Sequence, residues 1–179
     1  MITVEAAIRF VFRSTRPTST PLFDTISASN KLLCQFRFAA HSFISALSTY
    51  VHDVAVGGNF DAFLSQISTC RGNIVSDHPC GFRDIFDLAQ THSSVLDDIL
   101  SACLLRSSQR GAGDILQGAM ELVLRFCVFV GDMADGRMEE YRAASTLEAL
   151  YVAFRKKVAR LVCFPLHSPF NHSLMSFHR

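Results

Sequence analysis

Tryptophan is absent from the 179 residues, and only 18% of them are charged. Seventeen basic residues against sixteen acidic ones leave a net charge of +1, so no overall field draws the chain to nucleic acid or to an anionic membrane surface. No run of about 18 uncharged apolar residues exists. The best candidate, Leu116 to Met133, is interrupted by Glu121, Arg125 and Asp132, which argues against a membrane span. Cysteine is present at positions 34, 70, 80, 103, 127 and 163 but never as a CxxC pair. The pattern reads as reduced, buried small hydrophobes of a cytosolic protein. Alternating runs that would mark strands are missing, as are internal repeats.

What is present is apolar and periodic. Hydrophobic residues make up 49% of the chain, too many for a disordered composition, and the length suits one domain. The stretch that organises the reading is Phe82 to Arg106. Its residues Ile85, Ala89, His92, Leu96, Ile99 and Cys103 recur every three or four positions and share one helical face. Such a helix draws its stability from burying that stripe against other helices. A break near Thr91 is an option, since threonine can cap a second segment.

Three more long stripes supply partners. Leu33, Phe36, Ala40, Phe43, Leu47, Tyr50 and Val54 mark a helix over 29–54, with Gly57-Gly58 as its stop. Ile115, Ala119, Leu122, Val123, Phe126 and Val130 mark one over 114–132, and a turn follows at Ala134-Asp135-Gly136. Met138, Tyr141, Leu147, Leu150, Phe154, Val158 and Leu161 mark one over 137–162, with basic residues in its last turns where the helix dipole favours them. Asn59 caps a short helix over 60–68. The expected fold is all-α, a bundle of about five helices. Residues 1–28, a short helix and a Ser/Thr/Pro-rich linker, and the tail 165–179 are expected to be disordered, leaving 29–164 as the folded domain.

The residues offer no catalytic constellation. Cys70, His78 and Cys80 lack the paired spacing of a zinc site. His92 and His41 read as core histidines rather than general bases. Asp97-Asp98 and Glu139-Glu140 are adjacent on helices, so they diverge by about 100° and cannot flank one substrate. Gly111-Ala112-Gly113 continues into neither a dinucleotide fingerprint nor a P-loop. No enzyme, cofactor or metal is expected.

FRFAAHSFISALSTYVHDVAVGGNFDAFLSQI, followed after a loop by DIFDLAQTHSSVLDDILSACLL and two long helices, resembles the C-terminal region of the gamma-tubulin complex proteins, the grip-motif family. The matching positions are Tyr50 and Asp53, then 60–67, then Asp84, His92, Val95, Leu96, Asp97, Cys103, Leu104 and Leu105. The likeness covers about 32–162 and is most specific over 92–105. Family members are several times longer, and the residues after Cys163 do not continue the family's usual last helix.

The resemblance implies a scaffold of a gamma-tubulin complex. It implies binding to gamma-tubulin and to other complex components, and a role in microtubule nucleation at microtubule organising centres and spindle poles in the cytoplasm and cytoskeleton. It places Tyr50, His92 and Leu96 as partner-binding candidates, although each lies in an apolar stripe, where core packing between helices is the favoured reading. Asp53, Asp97, Glu139 and Arg142 join them as exposed polar positions. The other readings are a generic helical adaptor, or a degenerate fragment that no longer binds gamma-tubulin.

Overall fold

The computed structural model describes residues 26–72, 82–138 and 140–163, together with Ala6. Five α-helices account for most of them: α1 (Ala28–Thr49), α2 (Gly58–Gly72), α3 (Ile85–Ala102), α4 (Arg110–Ala134) and α5 (Glu140–Cys163). A π-helical segment, Tyr50–Gly57, joins α1 to α2, and a short 3-10 turn, Ser107–Gln109, precedes α4. No strand occurs among the described residues, so the chain is all-α as its periodicity implies. The helices are unequal, however. The three long ones, α1, α4 and α5, carry the core, and α2 and α3 form a flank.

The core follows from where the wide stripes meet. Leu33, Phe36, Ala40 and Ile44 of α1 pack with Val123, Phe126, Cys127, Phe129 and Val130 of α4 and with Ala143, Leu147 and Phe154 of α5. At its centre the Phe36 ring lies 4.1 Å from Phe126 and 5.3 Å from Phe154. Phe43 meets Phe154 edge-on at 5.7 Å, an arrangement that suits the ring quadrupoles. Burial pushes the Cys127 thiol up to about 11, so at neutral pH it is an uncharged filler.

Helix ends are set by local hydrogen bonds. The Ser27 hydroxyl accepts from the Asn30 amide at 3.1 Å and starts α1. At α3 the Asp84 carboxylate accepts from the Asp87 amide at 2.8 Å, while Asp87 accepts from the Arg83 amide at 3.0 Å. The Asp84 cap starts the helix at Ile85, after the expected Phe82. No break occurs at Thr91, whose hydroxyl donates to the Asp87 carbonyl inside a continuous helix. Helix α4 begins at Arg110, one turn before the expected Asp114, and takes the glycines at 111 and 113 into its first turns.

α3 and α4 end in the same Schellman motif. In α4, Gly136 takes φ +68° and the amides of Gly136 and Arg137 donate to the carbonyls of Met133 and Asp132. In α3, Leu104 takes φ +60°, and the amides of Leu104 and Leu105 donate to Ser101 and Leu100. Glycine enters that conformation freely, whereas leucine does so at a cost of about 1–2 kcal/mol.

Two sequence expectations fail at the end of α1. The glycines at 57 and 58 do not stop it, because the chain runs on through the π segment into α2 with Gly58 in the right-handed helical region. The extra residue per turn also shifts the stripe by one position. Val54, expected to face the core, is 56% exposed, and Ala55 is fully buried in its place. Gly57 is required here, since a Cβ would stand 2.9 Å from the His52 carbonyl oxygen. Asn59 acts as no cap; its amide donates back to the Ala55 carbonyl at 2.8 Å.

Candidate partner-binding surface

α3, the helix around which the sequence was read, buries no residue completely. Its stripe rests on α2 and the π segment, a narrow floor that covers only part of its circumference. His92 is exposed, its ring 5.5 Å from Phe63 of α2, and Leu96 is 44% exposed. Both were candidates for core packing between helices, and neither is in the core. Cys34, likewise expected inside, is exposed on α1.

Four of the seven candidate residues belong to α3 or to the joint that holds it. Tyr50 opens the π segment, and its hydroxyl donates to the Ala102 carbonyl at 3.1 Å. That bond ties the end of α3 to the end of α1, across 52 residues of chain. His92, Leu96 and Asp97 lie on the helix so tied. The Asp97 carboxylate pairs with Arg106 at 3.3 Å, an exposed contact worth at most about 1 kcal/mol. Asp53 is exposed within the π segment, and its carbonyl accepts from the Gly58 amide.

Arg142 stands apart on α5, where its guanidinium lies over the Tyr141 ring and donates to the Tyr141 hydroxyl at 2.8 Å. The side chains of Glu139 and Cys70 lie outside the described residues, as do His78, Cys80, the tail 165–179 and most of 1–28. Among the described residues no three His, Cys, Asp or Glu side chains gather as metal ligands, and no helix is long and apolar enough to cross a membrane.

The sequence reading missed several exposed apolar side chains of the flank. Phe86 is 81% exposed beside Ile85 at the start of α3, and Leu100 and Leu105 are exposed toward its end. A signal was available, because adjacent apolar pairs such as Ile85-Phe86 and Leu104-Leu105 diverge too far to share one buried face. Beyond Leu105 an open cleft of about 530 Å³, lined by Leu104, Arg106, Arg110, Gln117 and Met120 among others, separates the end of α3 from the start of α4. Burial pushes the Cys103 thiol at its edge upward, so it is no ready nucleophile. The surface offers apolar contact and a few exposed charges, which suits association rather than bond chemistry.

A family model described as gamma tubulin complex component C-terminal matches residues 1–174 of the chain. The match extends past both ends of the stretch, 32–162, over which the resemblance was read. Neither the curated proteins nor the solved structures compared with the chain give a match.

Proposed function

The chain belongs to the gamma tubulin complex component C-terminal family, and from that premise we propose that it is a non-catalytic module that binds gamma-tubulin. In this reading it contributes to microtubule nucleation at organising centres and spindle poles, within the cytoplasm and cytoskeleton. The family match across nearly the whole chain carries the reading. The flank supports it physically. α3 presents Phe86, Leu96 and Leu100 to solvent. A patch of this kind on a helix tied in place through Tyr50 and Ala102 is a pre-ordered docking face, which lowers the entropy lost on binding. Any nucleotide hydrolysis then belongs to the tubulin, and the other components of the complex are the remaining partners.

The test is capture of purified gamma-tubulin by the full chain. Wild type retains gamma-tubulin, Phe86→Asp and Leu100→Asp lose most of it, and Val128→Asp on the exposed side of α4 does not. Circular dichroism on each sample verifies the helices. A fully helical wild-type chain that captures no gamma-tubulin would favour the adaptor or degenerate-fragment reading.

A further inference from the structure

The face of α5 turned away from the core runs unbroken along the helix. Tyr141, Ser145, Glu148, Val152, Lys156, Ala159 and Cys163 follow one another at steps of four, three, four, four, three and four residues. All seven are exposed, Tyr141 at 68% and Val152 at 44%. A three-four alternation is the spacing of a helix-pairing seam. Ser145, Glu148, Ala149, Val152, Ala153 and Lys156 line a shallow groove of about 450 Å³ along its middle.

The spacing reads the same in both directions from Val152, and the charges on its two sides are of opposite sign. We propose that this face is a self-association surface, on which a second copy of the chain docks its own α5 antiparallel about a two-fold axis through Val152. In that arrangement Val152 meets its own counterpart. Glu148 of each copy faces Lys156 of the other, Ser145 faces Ala159, and Tyr141 covers the Cys163 end. A two-fold interface requires such reciprocity, because residue i meets j and j meets i. Neither Glu148 nor Lys156 is engaged in an ion pair among the described residues, so both charges are available. Like-charge contacts would arise in the parallel alternative, Glu148 on Glu148 and Lys156 on Lys156, which selects the antiparallel one. Small residues at 145, 149, 153 and 159 let the helices approach closely. The seam is half polar, so the association is of the transient class. It uses a different helix from the one that carries Phe86.

Sedimentation velocity of the full chain across micromolar concentrations tests it, with circular dichroism on every variant. The wild type shows a concentration-dependent monomer–dimer equilibrium. Glu148→Lys and Lys156→Glu each weaken the dimer by about tenfold or more, since each creates two repulsive contacts, and the double variant recovers wild-type affinity. Val152→Asp abolishes the dimer with helicity unchanged, because the position is exposed. Val152→Cys gives a cross-link between residues 152 of two copies under mild oxidation, located by peptide mass analysis. A wild type that stays monomeric overturns the proposal. So does a dimer indifferent to Val152→Asp, or a double variant that fails to recover.

Discussion

The trio of α1, α4 and α5 and the flank of α2 and α3 are built from equally periodic sequence, yet they differ completely in what they bury. Among the described residues, every fully buried large side chain, from Phe36 to Leu147, belongs to the trio. In the flank and the π segment that leads into it, the described residues that are buried are Ala55 and, at 6% exposure, Phe63 of α2. Periodicity states which face of a helix is apolar. It does not state how much partner surface waits opposite. Helix α4 lies between two long neighbours and can bury adjacent residues such as Phe126-Cys127 and Phe129-Val130. α3 rests on a short helix and a π turn, and among the described residues much of its stripe stays uncovered.

The sharpest way to break this contrast is to cut into the trio. Phe126→Ala removes the ring stacked on Phe36 and is expected to cost about 3–5 kcal/mol, enough to unfold a domain of ordinary stability. Urea denaturation measures it, and a loss below about 1 kcal/mol would mean that the aromatic centre is not the core.

The next largest effect tests the joint between trio and flank. In a regular helix, Gly57→Ala would stabilise by about 0.5–1 kcal/mol. In the π segment the added Cβ meets the His52 carbonyl at 2.9 Å, so a loss of about 1–3 kcal/mol is expected instead. The sign of the change in midpoint decides between the two geometries.

The paired helix ends sharpen it further. Gly136→Ala meets no atom within 4 Å, so its cost of about 1 kcal/mol is purely that of the left-handed backbone. Leu104→Gly, at the equivalent place in α3, relieves the same strain and should stabilise by up to about 1 kcal/mol. Thermal unfolding of the two variants should therefore move in opposite directions. The smallest effect is expected of Leu96→Asp, in the middle of the flank's stripe. Because Leu96 is well exposed, a change within about 0.5–1 kcal/mol and full helicity are expected. An unfolded Leu96→Asp protein would return α3 to the core.

These variants also mark how far the sequence was legible. Helix type and approximate extent followed from a period of 3.6, and Gly136 announced its turn. Phe36, Ala40, Ala119, Val123, Phe126, Val130, Leu147 and Phe154 were placed in stripes that prove buried. The π segment left no trace in composition, because its glycines are also the signature of a helix stop. From there the phase was extrapolated one residue out, which put Tyr50 and Val54 inside. Tyr141 was placed inside for a different reason: six residues before Leu147 it stands about 120° out of phase with the buried stripe, on the outward face of α5. On the candidate surface, the family likeness pointed to the 92–105 segment, and Phe86 and Leu100 emerged only once exposure could be seen.

Phe36 and Phe126 lie on opposite sides of the flank in chain order, and their contact has a consequence for the order of events in folding. The α4–α5 hairpin closes over a short turn, so it forms early and cheaply, whereas Phe36 reaches it only by closing a loop that contains all of α2 and α3. The flank is thus carried passively inside the slowest closure. Substitutions in α3 should alter the unfolding rate and leave the folding rate nearly untouched, while those at Phe36 or Phe126 should slow folding itself.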